Sequence, residues 1–303
     1  MAVQADPGTL VDSRPTVRAA LDLGAAALQD AGIEGGRVDA EWLLAEALGI
    51  ARGRLGLQAQ RPLEPPAAAR YVRALRRRIA REPLQHIVGT QAFRHVTIKV
   101  SGDALVPRPE TEVLAGWALE LLPPPPRTPL VIDVGTGSGC IACALAAERP
   151  DLTVIALDVS PAAAALARAN VAELGLATRV TVQVSDLFSG LTVMQADVVV
   201  SNPPYLPTAL IPTLAPEVSR HDPRLALDGG PDGLDVIRRL VDAAPCWLAP
   251  TGWLVLETAG GEQVPEVVAL MHARGFVSVQ TRPDLAGIVR FVAGGMPSCP
   301  HVC

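Results

Sequence analysis

Lysine is almost absent from this chain. Lys99 is the only one among 26 basic residues, and a P-loop needs a lysine beside its glycines to reach terminal phosphates, so that chemistry is excluded. Cysteine is also scarce. Cys140, Cys143, Cys246, Cys299 and Cys303 form an odd, sparse set that suits a reducing compartment. Cys140 and Cys143 have redox-pair spacing, but no second Cys/His pair stands at metal-ligand spacing and both fall in an apolar helical run. They read as small packing residues, and no metal site is expected. The tail Cys299-Pro300-His301-Val302-Cys303 reads as a frayed terminus, and its cysteine is not fourth from the end as a prenylation box requires. No apolar run approaches the ~18 residues of a membrane helix. Met1 to Asp12 lack both a basic start and an apolar core, so a secretory leader is not expected. Positive charge is in deficit too: a formal charge of -5 and a pI near 5.6 argue against a chain built to coat nucleic acid. A cytoplasmic monomer without membrane or direct nucleic-acid contact is expected.

What the chain does have is apolar content: 49% of its residues are hydrophobic, enough for real cores, and 303 residues suit about two domains. From about Thr16 to Arg81 there are helix signals and no strand pattern. Thr16 caps a helix over 17–31 stopped by Gly32, Asp39 caps one over 40–48 stopped by Gly49, and Pro65 or Pro66 opens a third running to Arg81. A small helical-bundle domain over 1–89 is expected. The third helix carries Arg70, Arg73, Arg76, Arg77, Arg78 and Arg81. Consecutive arginines point in different directions around a helix, so a solvated face is expected, with docking of an acidic partner or RNA as the other reading.

Between Gln91 and Val106 the period changes to two, with Val96, Ile98 and Val100 alternating against Thr97 and Lys99. This predicts a hairpin or an edge strand in a linker over 90–108. Pro107-Arg108-Pro109-Glu110-Thr111-Glu112 then opens a helix ending near Leu122, closed by the stiff run Pro123 to Pro126. From 109 to 303 strands and helices alternate. Strands are predicted over 130–134, 153–157, 180–184 and 196–200, with helices over 141–148 and 161–174, a pattern that predicts an α/β, mostly parallel sheet with right-handed crossovers. A helix over 234–248, a strand over 253–257, a helix over 264–274 and strands over 276–280 and 288–293 follow. The close spacing of the last two predicts an antiparallel hairpin.

The first strand ends in Asp133-Val134-Gly135-Thr136-Gly137-Ser138-Gly139 and runs straight into a helix. Glycines there let the backbone turn tightly and approach a ligand, while the helix N-terminus offers free N–H groups. A dinucleotide fingerprint wants a third glycine at position 140, where Cys140 stands, which disfavours NAD and FAD. What remains is a loop around a nucleoside with a small charged tail, such as S-adenosylmethionine. Asp158, at the end of the second strand, is placed to take both ribose hydroxyls. Asp186, after the third, is placed to accept from an adenine amino group.

A β-branched run, Ala196 to Val200, leads into Ser201-Asn202-Pro203-Pro204-Tyr205, so Asn202 to Tyr205 sit at a strand's carboxyl end, where open α/β sheets bind ligands. Asn202 offers a side-chain carbonyl, and because Pro204 has no N–H the Pro203 carbonyl is left to accept from a ligand. Two fixed acceptors hold a planar amide or amino nitrogen by both hydrogens, and Tyr205 supplies an aromatic face. A proline-rich turn with no ligand is the plain alternative.

Taken together, these segments resemble the HemK/PrmC glutamine methyltransferases, which methylate the glutamine of the Gly-Gly-Gln motif in bacterial peptide chain release factors. The resemblance runs from about Pro83 onward: Pro83 to Gly89, Val106 to Glu112, Asp133 to Gly139, Ser201 to Tyr205, Ala226 to Leu234 and Asp284 to Arg290. It implies a Rossmann-like class I S-adenosylmethionine methyltransferase sheet, mostly parallel with an antiparallel last strand, and a helical N-terminal domain that helps recognise the release factor. It further implies that Gly135, Thr136, Gly137, Ser138, Gly139 and Asp158 bind S-adenosylmethionine, with Asp186 and Leu187 at the adenine. Asn202 then contacts cofactor and substrate, and Asn202, Pro203, Pro204 and Tyr205 hold the glutamine amide; the cofactor product is S-adenosylhomocysteine. Two positions depart from the pattern. Ser185-Asp186-Leu187-Phe188 stands where Gly-Asp-Trp-Phe is common, and Asp222-Pro223 where Glu-Pro is usual.

An amide nitrogen is a poor nucleophile, because its lone pair is delocalised into the carbonyl. Asn202, Pro203 and Tyr205 are therefore the expected catalytic set, accepting both N–H bonds and aiming the nitrogen. No strong base is visible: His86, His95, His221, His272 and His301 are scattered and read as structural. The competing readings are an adenine amino-group methyltransferase acting on DNA or RNA, and a non-catalytic protein that binds release factors.

Overall fold

The computed structural model of this chain describes residues 8, 10, 14–192 and 194–298. The readings of the 299–303 tail and, apart from Gly8 and Leu10, of residues 1–12 lie outside the described residues. Two compact units emerge, one of residues 1–89 with 215–221 and one of residues 90–214 with 222–303.

In the first unit, α1 (Val17–Asp30) starts as expected, with Thr16 Oγ1 accepting the Ala19 amide at 3.2 Å. Helix α2 (Gly36–Leu48) starts earlier than predicted. Gly35, at φ 70°, turns the chain into it, and Asp39 is not its cap. A short α3 (Leu55–Gln58) leads to α4 (Pro65–Ile79) and α5 (Leu84–Val88). The fully buried Leu28, Leu43, Leu44, Leu63, Tyr71 and Leu75 form the core, each such side chain contributing about 1.5–3 kcal/mol.

Arg70, Arg73, Arg76 and Arg77 are exposed, as a solvated face requires, and Arg78 is the exception. Arg78 lies on the same stripe as Tyr71 and Leu75, four and then three residues on, and is 7% exposed. Its guanidinium donates to Asp39 at 2.7 Å and, at 2.8 Å, to Glu217 from α6 (Pro216–Ser219), a short helix of the same unit. Arg70 donates to the Ala47 carbonyl, Arg77 to Glu82, and Arg81 to Glu217 and the Gly32 carbonyl. Arg73 and Arg76 are exposed like Arg70 and Arg77.

The second unit opens with an antiparallel hairpin, β1 (Thr90–Phe93) and β2 (Val96–Lys99). Helix α7 (Pro109–Glu120) follows, and then the main sheet: β3 (Leu130–Val134), α8 (Cys140–Glu148), β4 (Thr153–Asp158), α9 (Pro161–Glu173), β5 (Val180–Val184) and β6 (Ala196–Ser201). After these come α10 (Asp235–Ala243), β7 (Leu248–Glu257), α11 (Gln263–Ala273), β8 (Val277–Pro283) and β9 (Val289–Gly295). The sheet order is β5-β4-β3-β6-β7-β9-β8; the first five strands are parallel and β9 runs antiparallel to both neighbours. This is the mostly parallel sheet with an antiparallel last strand that the sequence predicts.

Two boundaries are displaced, and one is the start of β7, at Leu248 instead of the expected 253. The helix expected over 234–248 ends at Ala243, because Pro245 cannot donate an i to i−4 bond, and a 3-10 turn (Ala244–Cys246) leads into β7. Cys140 and Cys143 are free and buried on α8, in the packing role assigned to them. Burial pushes both thiols up, Cys143 to about 12. No helix among the described residues is long and apolar enough to cross a membrane.

From β3 the chain works outward through β4 and β5, and from β6 in the other direction through β7. Adjacent strands that diverge in this way open a crevice at their carboxyl ends. Val134 pairs with Ser201, so Gly135 and Asn202 leave the sheet side by side.

Candidate active site

Asp133 ends the fully buried centre of β3. Its Oδ2 accepts from Thr136 Oγ1 at 2.6 Å and from the Ala142 amide at 3.2 Å, which ties the glycine loop and the start of α8 to the strand. Oδ1 is buried without a hydrogen-bond partner among the described residues. Burial raises the carboxyl from 3.8 to about 7, against the pull of the Thr136 and Ala142 bonds. Asp158, ending β4, braces the same loop. Its Oδ2 accepts the Gly137 amide at 2.8 Å and its Oδ1 the Ser160 amide at 2.8 Å. Burial raises this carboxyl too.

The loop and both strand ends line a cavity of about 300 Å³. Gly135, Thr136, Gly137, Ser138, Asp158, Asp186, Leu187, Asn202, Pro203 and Pro204 all face it, together with Arg108, Thr111 and Arg239. A Cβ on Gly135, at φ 71°, would meet no atom within 4 Å, so the bare backbone leaves room for a ligand's close approach. Gly139 and Tyr205 stand outside the lining. Of the charged groups, Arg239 is paired with Asp186 and Arg108 with Asp222, at 2.7 and 2.8 Å. Asp103 and Asp158 have no cationic partner among the described residues, so the cavity favours a positively charged ligand.

The Asn202 to Tyr205 loop is backed by the segment around Leu227. Leu206 donates to the Leu227 carbonyl at 3.0 Å, and Gly229 donates to the Leu206 carbonyl at 2.9 Å. A Cβ on Gly229 would stand 2.7 Å from the Pro204 carbonyl, so only glycine allows this approach. Asn202 Nδ2 donates to Thr111 Oγ1 at 3.0 Å, Thr111 Oγ1 donates to Glu257 Oε2 at 2.9 Å, and the Tyr205 hydroxyl donates to Glu257 Oε1 at 3.1 Å. Among the described residues nothing donates to Asn202 Oδ1 or to the Pro203 carbonyl, which leaves the two acceptors anticipated from the sequence open. Tyr205 packs partly into the core beneath β6 and β7, and burial is the main cause that pushes its hydroxyl pKa up.

Thr111 and Glu257 were not singled out from the sequence, although both lay in view. Thr111 stands inside the Pro107 to Glu112 segment, and Glu257, like Asp158, is a lone carboxylate at the carboxyl end of an apolar strand.

A family model described as the PrmC N-terminal domain matches residues 19–89, and one described as the methyltransferase small domain matches residues 117–211. The release factor glutamine methyltransferase of Geobacter sulfurreducens is 43% identical over 279 residues, 92% of this chain and 96% of that one. This chain belongs to the release factor glutamine methyltransferase family. A solved protein-(glutamine-N5) methyltransferase (release factor-specific) from Alicyclobacillus acidocaldarius is 33% identical, covering 66% of this chain and 99% of that one, with a TM-score of 0.40. The hMettl16 catalytic domain, solved with a 3′UTR hairpin, has a TM-score of 0.56 over 82% of this chain and 86% of its own at 17% identity, a likeness of fold.

Two departures from the family's pattern acquire a setting. Leu187 occupies the cavity wall at φ 50°, a left-handed conformation that Ser185 Oγ steadies by donating to its carbonyl at 2.8 Å. Asp222 is buried and holds Arg108 at the cavity wall.

Proposed function

We propose that this chain transfers a methyl group from S-adenosylmethionine to the side-chain amide nitrogen of the glutamine in the Gly-Gly-Gln motif of peptide chain release factors. It does so in the cytoplasm as a monomer, leaves S-adenosylhomocysteine, and needs neither a metal nor direct contact with nucleic acid. The observation that carries this reading is the pair of open acceptors, Asn202 Oδ1 and the Pro203 carbonyl, beside a glycine-lined cavity.

The residues suit this cofactor. The open backbone at Gly135 and the uncompensated Asp103 and Asp158 fit a cationic nucleoside. Asp158 keeps a further lone pair on each oxygen for ribose hydroxyls. Asp186 and Leu187 border the adenine, with leucine giving a smaller apolar cover than an aromatic ring. When bound, the cofactor supplies a methyl group activated by its sulfonium.

Asn202 Oδ1 and the Pro203 carbonyl accept the two N–H bonds of the glutamine amide and aim its nitrogen. They also stabilise the positive charge that grows on nitrogen, so no base is needed before the methyl moves. Pro203 and Pro204 limit the entropy lost in holding this geometry. Tyr205, anchored to Glu257, supports the loop from outside the cavity lining. The helical unit contributes to release-factor recognition.

The test is to incubate the protein with methyl-labelled S-adenosylmethionine and purified release factor carrying either Gly-Gly-Gln or Gly-Gly-Ala. Label on the intact factor alone is expected. Label on both, or on neither, overturns the assignment, and in the second case nucleic-acid substrates come next.

A further inference from the structure

We infer that Thr111 and Glu257 act as positioning residues that decide which end of the Asn202 amide faces the substrate, an inference that rests on the function proposed above. A carboxylate only accepts hydrogen bonds, whereas a hydroxyl donates one and accepts from others. Glu257 receives two donors, Thr111 Oγ1 on Oε2 at 2.9 Å and the Tyr205 hydroxyl on Oε1 at 3.1 Å, an arrangement that calls for its ionised form, which burial defers to pH above about 7. With its proton committed to Glu257, Thr111 can only accept from Asn202, and the partner at 3.0 Å is Nδ2. The amide is thereby locked with Oδ1 as its remaining face.

An asparagine side chain has nearly the same shape either way round, so nothing in its own structure prevents a flip that would present an NH2 to the substrate. An NH2 repels the glutamine NH2 and welcomes a carboxylate. The buried relay, with Thr111 2% and Glu257 1% exposed, sets the sign of that interaction from behind the site. It joins residues 146 positions apart, carried by the first turn of α7 and the end of β7.

The variants T111V and T111S separate orientation from packing. Valine keeps the volume but removes the hydroxyl; serine keeps the hydroxyl but removes the methyl. In T111V, kcat for the Gly-Gly-Gln factor is expected to fall at least tenfold, cofactor affinity to stay within about threefold, and T111S to recover most of the rate. Inhibition by a Gly-Gly-Glu factor should strengthen in T111V relative to wild type, because a flipped amide donates to a carboxylate. A purely structural role would not produce that change. T111A enters the same assays if T111V does not fold. Wild-type kcat in T111V or T111A, or a fallen rate with unchanged Gly-Gly-Glu inhibition, overturns the inference. A wild-type protein that labels no release factor overturns the underlying function instead.

Discussion

Asp158 Oδ2 accepts the Gly137 amide at 2.8 Å while its Oδ1 accepts the Ser160 amide at 2.8 Å, so the carboxylate assigned to the ribose also holds the glycine loop in shape. Asparagine is therefore no conservative replacement. It offers one acceptor, and its NH2 would oppose a backbone N–H. D158N is expected to weaken S-adenosylmethionine binding by at least ~10-fold, about 1.4 kcal/mol, and nearly as much as D158A does. Calorimetric titration checks this, and wild-type affinity in D158N would sink the bracing role.

Asn202 is assigned to the substrate more than to the cofactor. N202A should lower methyl transfer at least ~100-fold, the range seen when a positioned charge-stabilising group is removed. Cofactor affinity should stay within about threefold. Equal losses in the two measurements would show that Asn202 serves the cofactor pocket and not the amide.

Glu257 carries a pH dependence whose sign is set by burial. Burial raises its pKa from 4.5 to about 7; the Thr111 and Tyr205 hydrogen bonds and the Arg290 charge pull it down, and Glu110 pushes it up. The native state thus keeps a proton that the unfolded chain has released, and this contribution to stability is present below about 4.5 and lost as pH rises through about 7. E257Q removes the titration. Its stability relative to wild type should rise by on the order of 3 kcal/mol across that window, read from denaturant melts at several pH values. In the wild type, kcat should climb with pH towards a plateau above about 7, where Glu257 can accept from Thr111, and E257Q should flatten that limb. A stability difference independent of pH would rule out Glu257 as the titrating group.

Arg78 is buried between Asp39 and Glu217. Desolvation pushes the Glu217 carboxyl up, but hydrogen bonds from Arg78, from its own backbone and from Arg81 outweigh it and hold it below the ordinary range. R78A would leave two half-buried carboxylates without their shared cation, and breaking such an arrangement costs about 3–5 kcal/mol. The paired charge reversal R73E/R76E, at exposed positions, should leave the melting temperature almost unchanged. A stable R78A would show that the contact contributes little.

Much of this fold could be read directly from the chain. The period-two hairpin, the strand-helix alternation, the glycine loop and the Asn202 to Tyr205 loop after a β-branched strand all stand where the pattern put them. Each signal is contained within one short stretch, so it survives without knowledge of what packs against it. Two helix boundaries moved for reasons equally local, Gly35 at its positive φ and Pro245 without its N–H, and both were open to a closer reading. The inward turn of Arg78 was visible only as its spacing from Tyr71 and Leu75, and the count of arginines hid it.

The sequence by itself determined which groups are offered to a ligand: a flexible glycine turn, acidic residues at strand ends, and two acceptors stiffened by prolines. Only the tertiary structure decided how they are aimed. Thr111 reaches Glu257 across 146 residues and Arg78 reaches Glu217 across 139, pairings that no local pattern encodes. They form because strand register and helix packing, driven by burial of apolar surface over the whole unit, bring those side chains together. Once there, most buried polar atoms find partners, and Asn202 Nδ2 takes Thr111 Oγ1, which leaves Oδ1 facing away from that bond.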